Sequence, residues 1–258
     1  MSIITLTTDF GAEDAYVGTM KGVILSLNPG ATIVDICHNI EPQNILQGAF
    51  VLDTAYPYFP PGTIHVVVVD PGVGTERKAI ILKALGAFFV APDNGVLSYV
   101  LRKAREFEVV SLTNPHFWLN PVSSTFHGRD IFAPVAAHLS LGVPLHEFGE
   151  PLSSPVTLPL PEPQLEADGS LIGHIIHIDR FGNLITDIKE TDLPRDGLLI
   201  EASGYSIKGL SRSYAEGNEI LALVGSSGNL EIAAKNGKAA EILKLRIGDQ
   251  IKIKGSSA

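Results

Sequence analysis

Residues 151–169, PLSSPVTLPLPEPQLEADG, carry five prolines and follow neither a helical nor a strand period. Each proline fixes its own φ and offers no backbone N–H, so no regular element runs through such a stretch. The sequence on either side has a different texture, and 258 residues suffice for two modest domains. The expected organisation is an N-terminal domain over 1–155, a linker over 156–169 and a C-terminal domain over 170–258.

Ahead of the linker, strand-like and helix-like runs alternate. IITLTTDFG reads as a buried strand that stops at Asp9. In DAYVGTMKGVILSLNPG, Val17, Met20, Ile24 and Leu27 recur at spacings of three and four, which predicts a helix ended by Asn28-Pro29-Gly30. ATIVDICHNI is a second strand and QNILQGAFVLDTAYPYF a second helix. TIHVVVVD is a third strand, apolar on both faces as in the middle of a parallel sheet. KAIILKA and AFFVAPD suit a hairpin, GVLSYVLRKA a short helix, REFEVVSL a strand and RDIFAPVAAHLSLG a last helix. Such alternation predicts an α/β domain on a parallel sheet. Beyond the linker only short runs remain, LIGHIIHID, NLITDI, LLIEA, YSIKGL, EILALVG, NLEIAAK and QIKIKG, separated by Gly, Asn and Asp. That pattern predicts a small antiparallel β-barrel or sandwich.

Charge and motif content narrow the function. A net charge of −9 argues against nucleic acid and anionic membrane as partners and is compatible with a cationic small ligand. The single cysteine, Cys37, rules out an internal disulfide and a cysteine-based zinc site; in the apolar run ATIVDIC it reads as a buried thiol. The N-terminus has no basic and apolar leader, and no apolar run reaches the ~18 residues of a membrane span. A cytoplasmic protein is expected. GVGTERK is not a Walker loop, and neither GxGxxG, GxSxG nor HExxH occurs. His174 and His177, three apart on a strand, point to opposite faces and make a poor metal pair. No metal or redox cofactor is expected.

Ligands of parallel α/β sheets bind at the carboxyl ends of the strands. The first strand ends in TTDFGAEDAY, with Asp9 and Asp14; the third ends in Asp70; the hairpin ends in APDNG, with Asp93 and Asn94. TFHGRD, with His127, Arg129 and Asp130, opens the last helix. Acids and a histidine therefore collect on one rim, where a strand-end carboxylate can accept from both hydroxyls of a sugar diol. Each also has a structural reading. Asp9 before Gly11 and Asp70-Pro71-Gly72 are good turn sequences, His127 alone suits a core or surface role, and Arg129-Asp130 suits an ion pair at a helix start.

In order along the chain, TTDFG, VDICHNI, VVDPGVGTER, APDNGVL, TFHGRDIFAPVAA, IDRFGN and VGSSG resemble the motifs of the S-adenosyl-L-methionine (SAM) hydrolases, or SAM hydroxide adenosyltransferases, relatives of the bacterial fluorinase and chlorinase. The resemblance spans nearly the whole chain. It implies an N-terminal α/β domain, a C-terminal β-barrel, and a homotrimer whose substrate lies between the N-terminal domain of one subunit and the C-terminal domain of the next. It implies that Asp70, Arg77 and His127 act on a water that attacks C5′ of the ribose, releasing adenosine and L-methionine. By motif, Asp9 corresponds to the residue that holds the ribose hydroxyls and Asp14 to an acidic position near the methionine end. Asp179 corresponds to the partner of the methionine ammonium, Asn183 to a group that reads adenine, and Ser226 and Ser227 to the pair near the methionine carboxylate and adenine. Phe126 and Tyr214 match aromatic positions lining the site. Gly128 stands where the fluorinase has a serine, and Gln43 where it has a tryptophan. Two other readings stay open, a halide adenosyltransferase of the chlorinase kind and a non-catalytic adenosyl-binding protein. Intact Asp70 and His127 favour hydroxide.

Overall fold

The computed structural model describes residues 2–216 and 219–255, which form two compact units, Met1–Pro159 and Leu160–Ala258. The first unit holds β1 (Ile3–Thr8), α1 (Tyr16–Leu27), β2 (Thr32–Cys37), α2 (Ile45–Ala55), β3 (Ile64–Val68), β4 (Ala79–Ala84), β5 (Ala87–Pro92), α3 (Ser98–Lys103), β6 (Phe107–Leu112), α4 (Ala133–Ser140) and β7 (Gly149–Pro151). The sheet order is β2-β1-β3-β5-β4-β6-β7.

The first four strands of that order are parallel. The sheet becomes antiparallel at β4, which pairs with both β5 and β6, and stays so at β7. The reversal has a local cause. Leu85 and Gly86 join β4 to β5 with φ of 53° and 78°, and two consecutive left-handed residues make a turn whose twist suits a tight antiparallel hairpin. The sheet expected to be parallel is therefore mixed.

Successive strand residues point to opposite faces, and both faces are buried. Val66, Val68, Ile81 and Val110 pack with Met20 and Ile24 of α1 and Val135 and Ala136 of α4. Val67, Ile80, Leu82 and Val109 pack with Leu52 of α2 and Val100 of α3. The unit is thus a three-layer α/β/α stack. Asn44 caps α2 by accepting from the Gln47 N–H at 3.0 Å. Cys37, expected to be buried, is only half-buried, because β2 is the edge strand.

The proline-rich stretch begins on this unit. The Val156 N–H donates to Asp93 Oδ1 at 2.7 Å and the Leu158 N–H to Ser98 Oγ at 2.9 Å. Asp93, one of the rim acids, is committed to that contact.

The second unit holds β8 (Gln164–Leu165), β9 (Leu171–Ile178), β10 (Leu184–Lys189), β11 (Leu199–Ala202), β12 (Tyr205–Lys208), β13 (Ile220–Val224), β14 (Asn229–Ala234), α5 (Ala239–Leu243) and β15 (Gln250–Lys254). Its antiparallel order β12-β11-β15-β9-β10-β14-β13, with β8 on β9, curls into a nearly closed barrel. Ile175, Leu184, Ile200, Ile232 and Ile251 fill it. Closure leaves few free strand edges. Among the described residues, no helix is long and apolar enough to cross a membrane.

Candidate active site

The strand β3 delivers Asp70 to the carboxyl edge of the first sheet, two residues past its last paired position. Because β4 runs antiparallel, its start lies at that same edge and brings Arg77 back beside Asp70. The turn between them is fixed internally. The Val73 N–H donates to Asp70 O at 3.2 Å, and the Thr75 N–H and hydroxyl donate to Gly72 O at 3.1 and 2.7 Å. Asn94 Nδ2 donates to Val69 O at 2.8 Å, tying the neighbouring strand end to this one.

The Arg77 guanidinium forks onto the carboxylate. Its Nε donates to Asp70 Oδ1 and Oδ2 at 2.8 and 3.0 Å, and Nη2 donates to Oδ2 as well. The side chains of Asp70 and Arg77 are 5% and 10% exposed, so the pair is shielded from bulk water. The guanidinium also lies 5.3 Å over the Phe132 ring.

His127 completes the cluster from a distant stretch of sequence. Arg77 Nη2 donates to His127 Nδ1 at 2.8 Å. A guanidinium has no acceptor, so Nδ1 carries no proton here and the neutral ring has its hydrogen on Nε2. Burial first, and then the charge of Arg77, hold the His127 pKa below the ordinary imidazole value; Asp70 and Asp130 oppose this in part.

Two features place His127. The segment 123–127 packs onto the Asp70 turn so closely that a Cβ on Gly74, whose φ is +76°, would stand 2.3 Å from Ser124 O. Asp130, 1% exposed, accepts from the Ser123 N–H at 2.8 Å and from Arg129 Nε at 2.6 Å. The expected Arg129–Asp130 ion pair is present and works as the clamp of this loop. The helix begins as a π-helical turn, Gly128–Phe132, before α4.

The other N-terminal candidates share this rim. Asp9 follows β1, and its Oδ2 accepts from the Gln43 N–H at 2.8 Å. Gln43 has φ of 67°, a left-handed conformation that aims its amide at the acid. Asp14 is exposed just before α1. Phe126 forms an aromatic group with Phe10 and Tyr16, ring centroids 5.1 to 5.8 Å apart. A Cβ on Gly128 would meet Met20, Phe126 and Phe10 at 3.2 to 3.3 Å, so this group closes over glycine.

The second unit gathers Asp179, Asn183 and Tyr214 around a cleft of about 650 Å³ that also takes in Phe181 and Lys235. Asp179 Oδ1 accepts from the Phe181 and Asn183 N–H groups at 2.9 Å each, and its Oδ2 from Asn183 Nδ2 at 2.9 Å. Phe181 is 75% exposed. Tyr214 donates to Glu231 Oε2 at 3.0 Å. Burial, this bond and the charges of Glu231 and Asp179 push the Tyr214 pKa up to about 12. Burial and the charge of Asp179 raise that of Glu231. Ser226 and Ser227 lie outside this cleft, on the turn between β13 and β14, which the Gly225 N–H closes onto Asn229 O at 2.9 Å. Glu231 escaped the sequence reading because it sits inside an apolar strand pattern, with no turn or glycine to mark it. Among the described residues, no group of three or more His, Cys, Asp or Glu is placed to hold a metal ion.

Two family models match the chain: the SAM hydroxide adenosyltransferase N-terminal domain over residues 4–149 and the C-terminal domain of the same family over 173–252. A protein of Methanocaldococcus jannaschii described as an (R)-S-adenosyl-L-methionine hydrolase is 38% identical, over 98% of this chain and 96% of its own length. Its counterpart in Salinispora tropica is 39% identical, over 97% of each chain. A fluorinase of Nocardia brasiliensis is 29% identical over 98% of this chain and 96% of its own. The crystal structure of a conserved uncharacterised Thermotoga maritima protein superposes with a TM-score of 0.90 at 39% identity, over 97% of this chain and 99% of that one.

The two units correspond in order to the N- and C-terminal domains of a class of adenosyltransferases. Within that class, the chain belongs to the SAM hydroxide adenosyltransferase family.

Proposed function

We propose that the protein hydrolyses S-adenosyl-L-methionine to adenosine and L-methionine. The observation that carries this reading is the buried Asp70–Arg77 pair joined to His127 at the sheet edge. Water attacks C5′ of the ribose from the side opposite sulfur. The C–O bond forms as the C–S bond breaks, and the electron pair goes to sulfur, leaving the neutral thioether of methionine. The proton lost by water passes through the cluster to solvent. A sulfonium leaves without metal or redox assistance, so no cofactor is required. What the site supplies is an oriented nucleophile, and a positive Arg77 that stabilises the hydroxide character developing on water. His127, with its proton on Nε2, offers a donor to that oxygen, and Asp70 is the group able to take the proton.

Asp9 holds the ribose hydroxyls, while Asp14 and Phe126 line the N-terminal side. Asp179, Asn183, Tyr214, Ser226 and Ser227 receive the amino-acid and adenine ends. We infer a homotrimer in which the C-terminal residues of one subunit serve the N-terminal cluster of another. Sedimentation would read the mass, and mixing an Asp70→Ala subunit with an Asp179→Ala subunit should regenerate sites with the wild-type KM for SAM if sites are shared.

The decisive experiment incubates the protein with SAM in ¹⁸O-water, with and without chloride. Adenosine labelled at the 5′ oxygen is the expected product. A 5′-chloro nucleoside would assign halide as the nucleophile, and unreacted SAM would overturn the enzymatic reading.

A further inference from the structure

Glu231 is an acid for which the hydrolytic scheme above has no use, yet it is 7% exposed in the middle of β14. It lies at the meeting point of two separate site motifs. Its Oε2 accepts the Tyr214 hydroxyl hydrogen bond at 3.0 Å. Its carboxyl group also occupies the space above Gly225, the first glycine of VGSSG. A Cβ built on Gly225 would stand 1.7 Å from Glu231 Oε1 and 2.2 Å from its carboxyl carbon. The register of the sheet explains this, since Glu231 pairs with Leu223 two residues before Gly225. Gly225 is not in a left-handed conformation, so its lack of a side chain answers to the carboxylate and not to backbone strain.

We propose that Glu231 is a positioning residue for substrate binding, which ties the Tyr214 ring of the C-terminal cleft to the Gly225–Gly228 turn outside it. The inference rests on the hydrolase reading and deepens it. Tyr214 is 47% exposed and belongs to an irregular segment, so the Glu231 bond orients a ring that the backbone alone leaves free to rotate. Gly225 meanwhile lets the serine turn close against the same carboxylate. The N-terminal cluster performs the chemistry, so the role of Glu231 is expressed in affinity.

The test uses the full chain, steady-state kinetics with SAM and calorimetric titration of SAM. Glu231→Ala and Tyr214→Phe should each raise KM about tenfold, the scale of one lost buried hydrogen bond to a charged group, with kcat within about twofold. The double variant should be no worse than either single one, because both remove the same bond. Glu231→Gln, which still presents an oxygen to the tyrosine, should recover most of the affinity. Gly225→Ala should behave like Glu231→Ala by displacing the carboxylate. If Glu231→Ala fails to fold, Tyr214→Phe, Glu231→Gln and Gly225→Ala carry the test. An unchanged KM, fully additive effects, or a fall in kcat shared by all four variants would overturn the proposal. A wild-type protein that leaves SAM unreacted would sink the hydrolase reading itself, whereas active wild type with unaltered KM in the variants sinks this inference alone.

Discussion

The candidate residues of the two units are held on different principles. In the N-terminal unit, side chains bond to side chains: Arg77 holds Asp70 and His127 together, and the Asp70–Arg77 pair is shielded from bulk water. In the C-terminal unit, Asp179 bonds to its own turn and to Asn183, beside an open cleft with a largely exposed phenylalanine. A group that must act in the transition state gains from fixed orientation and low dielectric. A group that must admit and release a flexible amino acid does not need to be closed beforehand. The contrast divides the expected kinetics: N-terminal changes should fall on kcat, C-terminal changes on KM.

The sharpest way to break that division is Asp70→Ala or His127→Ala. Turnover should fall by roughly 10²–10⁴-fold, with KM for SAM little altered and the fold intact by circular dichroism. Arg77→Lys should be nearly as damaging, because an ammonium cannot reproduce the fork onto Asp70 together with the bond to His127. Wild-type kcat in any of these would remove the cluster from the mechanism.

The sheet beneath the cluster carries its own titratable group. His65 of β3 is 1% exposed, stacked on Phe89 with centroids 5.2 Å apart, and bonded through Nδ1 to the Thr5 hydroxyl at 2.8 Å. Burial lowers its pKa to about 4. A folded-state pKa below the unfolded value of about 6.5 means that the unfolded chain takes up the proton first. The stabilising effect is therefore complete above about pH 6.5 and is lost as pH falls towards 4, up to about 3 kcal/mol. Denaturant unfolding of the wild type at pH 7 and pH 4.5 should show that loss, and His65→Gln should flatten it. An equal pH slope in the variant would place the sensitivity elsewhere.

Asp179→Asn tests the other half with a smaller effect. The amide oxygen can still accept from the Phe181 and Asn183 N–H groups, so the turn is kept while the charge disappears. KM should rise about tenfold with kcat within a few-fold, the loss expected for one ion pair to a substrate ammonium. A kcat collapse with KM unchanged would end the division of labour between the two units.

How much of this was legible in the sequence depends on whether local or distant contacts decide. The long elements follow periodicity: Val17, Met20 and Ile24 are the buried face of α1, and each of the seven short runs after the linker became a barrel strand. β7, β8 and α5 were missed, since elements of two to five residues carry too little pattern. The antiparallel β4 was foreseen as half of a hairpin, yet its effect on the site was not. Only the reversed direction brings Arg77 to the edge where Asp70 ends. His127 lies 50 residues from Arg77, and no periodicity links them; motif order alone put them together. The Arg129–Asp130 ion pair was legible, but the grip of Asp130 on the Ser123 N–H was not, and Glu231 is marked only by burial, which a one-dimensional pattern does not reveal.

The smallest expected effect concerns His127. Because Arg77 donates to its Nδ1, protonating the ring would set a second N–H against the guanidinium, and burial resists the added charge. The neutral form therefore persists below the ordinary imidazole range. If the neutral form is the active one, kcat/KM should stay level through neutral pH and decline only below about 6.5, the unperturbed imidazole value. The residual activity of His127→Gln should lack that acid limb. A ¹³C-labelled histidine titration followed by NMR would assign the midpoint to this ring. A midpoint at or above the ordinary value would mean that the guanidinium does not oppose protonation of the ring, and that the Arg77–His127 contact, with the preorganisation argued from it, does not hold in the free protein.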